Sequence, residues 1–160
     1  QGSFMATKKK YEDLTDLEKI QKQWHKLSGL HSREEWSAAI VRAATAAEIA
    51  ANFAVRREFE SKSKFDAKFV DSLLRWANGL AGKLEHLLFP LSVSAKDKNK
   101  TIKKLEAIAK KINSKRNAIA HQGEFCNEDE AKTAISQSQE FITTLVKLYE
   151  PEFKLKERKR

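Results

Sequence analysis

IKKLEAIAKKINSKRNAIAHQG, residues 102–123, is the run from which the rest of the chain is best read. Ile102, Leu105, Ile108 and Ile112 recur every three or four residues, which marks one buried face of a helix beginning near Asp97. Arg116 follows Ile112 by four positions and precedes Ile119 by three, so an arginine stands where the stripe calls for an aliphatic side chain. A guanidinium is rarely buried without a partner. Either the stripe opens there into a polar cleft, or a carboxylate or phosphate meets the arginine. Asn117 and His121 are four apart and share the next face, within hydrogen-bonding reach. Gly123 supplies a helix stop and places His121 in the last turn.

Outward from this run, the periodicity predicts four more helices. The first runs from Tyr11 or Leu14 to Leu27, with Leu14, Leu17, Ile20 and Trp24 in helical spacing and Ser28-Gly29 as its end. Ser32 with Glu35 reads as a capping box that opens a long second helix, reaching Phe59. Ala43, Ala47, Ala50 and Ala54 give that helix a small-residue face that another helix can approach closely, and Glu48 lies beside it. After a polar break over 61–64, a third helix spans 66–88 with Phe69, Leu73, Ala77, Leu80, Leu84 and Leu87 on one stripe, and Pro90 stops it. Trp76 reads as core or dimer contact and His86 as helix surface. Asn127 with Glu130 caps a fifth helix, which carries Ala131, Ile135, Ser138, Phe141, Leu145 and Leu148 inward and ends before Pro151. The fold expected is an all-α, up-and-down bundle of about five helices over 11–150, with helices two to five as the core. Residues 1–10 read as a tag remnant (Gln1 to Phe4) and a basic lead-in, and 151–160 as a disordered basic tail.

Composition narrows the function. Lys and Arg number 31 against 22 acids, a formal charge of +9, which favours a polyanionic partner, nucleic acid first. Lys110, Lys111 and Lys115 bring positive charge close to Arg116, and Arg42, Arg56 and Arg57 add a basic flank on the second helix. Cys126 is the single cysteine, so no intrachain disulfide forms, and a reducing, cytoplasmic setting is expected. No apolar run reads as a membrane span, so no membrane partner is expected. No Gly-rich phosphate loop and no cysteine–histidine cluster is present, and no metal or other cofactor is called for. Glu12, Asp13 and Asp16 suit the first turn of a helix better than a metal.

Arg116, Asn117 and His121, with the Ala120-His121-x-Gly123 ending, resemble the motif of the HEPN family of helical domains, an arginine followed by a polar residue and a histidine a few positions on. The likeness extends more loosely, through the helical layout, over about residues 11–150. The resemblance implies a metal-independent endoribonuclease acting as a homodimer, with Arg116, Asn117 and His121 at the catalytic site and an acidic residue of an early helix, here Glu48, in support. It also implies a toxin or antiviral defence role, with a cognate antitoxin as a further partner.

The chemistry suits these residue types. In metal-free cleavage the RNA 2′-hydroxyl attacks the adjacent phosphorus, leaving a 2′,3′-cyclic phosphate and a 5′-hydroxyl. Histidine can exchange the protons near neutral pH, and arginine can clamp the phosphate and its developing charge. Asn117 would orient His121 or bind a phosphate oxygen. One chain supplies one His121, so acid and base together require a second copy across a two-fold cleft. The competing expectation is a catalytically inactive HEPN-like module that binds RNA, a nucleotide or a protein partner. On that reading Arg116 forms a structural ion pair, for instance with Glu48, and His121 caps carbonyls.

Overall fold

The structure is a computed structural model and describes residues 8–62, 67–76 and 79–157. Among these residues every regular element is helical. They are α1 (Asp16–Ser32), α2 (Trp36–Lys62), α3 (Ala67–Trp76), α4 (Gly79–Gly82), α5 (Phe89–Leu91), α6 (Lys96–Gln122) and α7 (Glu128–Lys147). A 3₁₀ turn at Tyr11–Asp13 precedes them, and a π-helical segment, Lys83–Leu88, joins α4 to α5. The expected all-α bundle is what forms. The expectations for Trp76, Phe69 and Ala77 as core side chains, and for Ser63, Lys64 and Asp66 at the break, lie outside the described residues.

α2 is the central helix, in contact with α1, α6 and α7. Its small residues allow this: Ala39, Ala43, Ala46, Ala47, Ala50, Ala51 and Ala54 are all fully buried, so neighbours approach its backbone from several sides. By length and composition alone α2 is apolar enough to cross a membrane, contrary to the sequence expectation. Within the bundle 61% of its most apolar window is buried, and helix packing accounts for that apolarity. The core is not confined to helices two to five. α1 contributes Ile20, Trp24 and Leu27, each no more than 2% exposed, alongside Phe141, Ile142, Leu145 and Val146 of α7.

Local chemistry explains where the elements differ from expectation. α1 begins at a Thr15–Glu18 capping box, in which the Glu18 amide donates to Thr15 Oγ1 at 3.2 Å and the Thr15 amide to Glu18 Oε1 at 3.1 Å. It runs through Ser28-Gly29 to Ser32, because Leu27 and Leu30 pack on the core and the Ser28 and Ser32 hydroxyls donate back to the carbonyls of Trp24 and Ser28. Ser32 therefore does not cap α2. The chain turns instead at Glu34, in the left-handed region at φ 60°. Pro90 lies inside α5 and the helix ends at Leu91. In a regular α-helix the proline ring would meet the carbonyl of His86, and the wider π segment ends just before it.

Two ionic networks pin the bundle. Arg56 of α2 joins Asp16 of α1 at 2.8 Å and Asp71 of α3 at 3.1 Å. Glu58, 1% exposed, accepts from Lys98 at 2.6 Å and from the Tyr149 hydroxyl at 2.8 Å, and pairs with Lys62 at 3.1 Å. Burial alone would push the Glu58 carboxyl up, but these three donors outweigh it and hold its pKa below the usual range. The C-terminal segment is a further correction. Phe153 and Leu155 pack on the core, and Gln21 exchanges two 2.8 Å hydrogen bonds with the backbone of Lys156. Residues 151–157 thus belong to the packed unit; apolar side chains set among the lysines, and an amide partner on α1, hold them there.

Candidate functional site

The C-terminal end of α6 is shaped by Gly123, at φ 66°, whose conformation closes the helix as expected. His121 sits exposed in the last turn. Beyond it the loop is tied down on both sides of Phe125. Glu124 accepts from Lys115 at 3.0 Å, and the Cys126 amide donates to Ser37 Oγ at 2.9 Å. Phe125 itself is 95% exposed. The Asn127–Glu130 capping box then starts α7, also as expected.

Arg116 leaves the α6 stripe at the place the sequence marks. Its side chain borders a small recess, about 40 Å³, walled by Ala44, Thr45 and Glu48 of α2, Leu80 of α4, and Ile112 and Asn113 of α6. Its Nη1 donates to Asn117 Oδ1 at 3.3 Å. Among the described residues Arg33, Arg56 and Arg57 each meet a carboxylate, whereas Arg42, Arg75 and Arg116 meet none, and of these three Arg116 alone borders the recess. Glu48 stands in the same recess but is held by Lys83, whose Nζ lies 2.7 Å from Glu48 Oε1. Arg116 and Asn117 are brought together, and Glu48 stands beside Arg116. His121 does not line the recess. Five residues along one helix turn two side chains about 140° apart, so within one chain His121 faces away from Arg116.

The other expected phosphate contacts divide. Lys110 and Lys111 are exposed on α6 and open to a ligand. Lys115 is partly exposed and already paired with Glu130 and Glu124, which raise its pKa well above the ordinary lysine value. Arg42 donates to Gln23 of α1 at 3.0 Å, away from the recess. Arg56 and Arg57 are matched by Asp16, Asp71 and Glu150. The ligand atoms of Glu124, Cys126 and Glu130 lie within 4.8 Å of one another. The Lys115 ammonium already supplies the positive charge there, and burial pushes the Cys126 thiol up, away from the thiolate that ligates metals.

Lys83 and Asn113 are not among the site residues expected from the sequence. Lys83 is 35 positions from Glu48, and its placement depends on the π segment that it opens. Asn113 could have been found, since it precedes Arg116 by three on the same helix face. A larger groove, about 690 Å³, runs between α1 and α7 and is lined by Trp24, Leu27, His31, Lys132 and Ile135 among others. Comparison with protein-family models, curated proteins and solved structures finds no match to this chain.

Proposed function

We propose that this chain is a metal-independent endoribonuclease of the HEPN type, working as a homodimer. The observation that carries the reading is the guanidinium of Arg116. It is exposed, bound only to Asn117 among the described residues, and left without a carboxylate although Glu48 stands in the same recess. An arginine so placed has donors free for a bidentate phosphate. His121, exposed at the helix end, is the proton-transfer group, and Asn117 bridges the two faces. Because His121 turns away from Arg116 in one chain, the reading requires that the histidine of one subunit serve the arginine of the other. Lys110 and Lys111 extend the phosphate track.

That same separation favours a second reading, a binding module of HEPN type that holds RNA through Arg116 and the α6 lysines without cleaving it. Incubating the full chain with mixed RNA in the presence of a chelator decides between them. Cleavage that yields 2′,3′-cyclic phosphate ends and is lost in both His121→Ala and Arg116→Ala supports the enzyme. Binding without cleavage, weakened by Arg116→Ala alone, supports the module. Cleavage that persists in both variants overturns the site.

A further inference from the structure

Lys83 is a buried charged residue that the functional reading leaves unused. It opens the π-helical segment, is only 3% exposed, and meets Glu48 Oε1 at 2.7 Å. Four residues earlier Gly79, at φ 57°, brings α4 so close to α6 that an added Cβ would lie 2.9 Å from Asn113 Oδ1. The buried Lys83 ammonium is thus bonded to a carboxylate that lines the same recess as Asn113 and Arg116. Glu48 therefore shares the recess with the exposed Arg116 but is paired with the buried Lys83. The Lys83 side chain is buried while that of Glu48 is 43% exposed, and leaving the buried ammonium unpaired would be costly, which favours the inner pairing.

We infer that Lys83 is a positioning residue: it holds the Glu48 carboxylate away from Arg116 and so keeps the guanidinium open to an anion. The identity of that anion, a phosphodiester, rests on the function proposed above; the lock itself does not. Without the Lys83 charge, Glu48 turns to the nearest remaining cation. Arg116 is then both occupied by a carboxylate and screened by its negative charge.

The test is a double-mutant comparison in the full chain: wild type, Lys83→Met, Glu48→Gln, and the two together. The first readout is the Arg116 side-chain Nε–H resonance, assigned by its loss in Arg116→Lys. It should shift in Lys83→Met and return to its wild-type position in the double variant. The second is the affinity for a fluorescent single-stranded RNA. It should weaken about tenfold in Lys83→Met, the size of one charge-assisted hydrogen bond, and recover in the double variant. A lysine that merely supports the fold would show no such reversal. If Lys83→Met does not fold, Lys83→Gln keeps a neutral donor on Glu48 while removing the charge, and the same reversal is expected. An unmoved Arg116 resonance, or one still displaced in the double variant, overturns the lock. A wild-type chain that binds no RNA overturns the ribonuclease reading, while the resonance still decides the lock.

Discussion

Lys115 of α6 and Glu130 of α7 form an ion pair, and Glu124 in the loop between the two helices joins it from 3.0 Å. One ammonium thus ties a helix end, a loop and the first turn of the next helix.

The pair predicts a defined pH response. The Lys115 hydrogen bond holds the Glu130 carboxyl below its ordinary 4.5. A depressed folded-state pKa gives stability that is present above the unfolded value and lost as pH falls through the folded one. The Lys115 pKa is raised from 10.5, so its share is complete below that value and is lost only at higher pH. Thermal melting should therefore be nearly flat from about pH 6 to about pH 9 and decline below about pH 4.5. Lys115→Met should lower the melting temperature only slightly at neutral pH, because the pair is partly exposed, and should flatten the acid decline. An acid decline as steep as in the wild type would show that the pair is not its source.

Glu58 predicts a sharper contrast. Tyr149→Phe removes one of its donors and leaves Lys98 and Lys62 in place, which should cost about 1 kcal/mol. Glu58→Ala strands the Lys98 ammonium in a half-buried site and should cost about 3 to 5 kcal/mol. Urea unfolding of the two variants checks the order. Equal losses would mean that the carboxylate adds nothing beyond its bond to Tyr149.

The two left-handed glycines among the described residues separate backbone strain from crowding. At Gly123, φ 66°, an added Cβ meets nothing within 4 Å, so Gly123→Ala should cost only the conformational strain, about 1 to 2 kcal/mol. At Gly79, φ 57°, Asn113 Oδ1 stands in the way as well. Gly79→Ala should be the more damaging in thermal melts, and it should also displace the Arg116 Nε–H resonance, which Gly123→Ala should leave in place.

The docked C-terminal segment can be tested by proteolysis. Gln21→Ala removes both hydrogen bonds to the Lys156 backbone. Trypsin should then cut after Lys154 and Lys156 several-fold faster, with little loss of global stability, because opening a local segment requires less than global unfolding. Unchanged cleavage rates would mean that Phe153 and Leu155 hold the segment without help from Gln21.

What could be read from the sequence was local. The Gly123 stop and the Asn127–Glu130 box each depend on a few adjacent residues, and both formed as expected. Thr15–Glu18 follows the same rule, with the same three-residue spacing. Ser32–Glu35 has the same spacing and formed no cap, because burial of Leu27 and Leu30 carried α1 past its expected end. The polar opening at Arg116 was visible as a break in an aliphatic stripe. What turned out to lie beside it was not, since Lys83 reaches Glu48 from a distant segment through an irregular turn. Nor could local spacing foretell that Lys115 would meet Glu124 and Glu130 rather than stay free for a ligand. That depends on how the loop folds back.

The irregular turn at Lys83–Leu88 has a consequence for how this chain can change over time. A π segment holds about one residue more than the α-helical stretch it replaces. Removing one residue after Lys83 would tighten that winding and rotate the preceding side chains by about 100° relative to those that follow. Point substitutions along the segment leave its winding intact, whereas a one-residue deletion would swing Lys83 away from Glu48 while sparing every residue named in the motif. Descendants of this chain that lose a residue here would keep an intact-looking arginine and histidine and yet have a disarmed arginine.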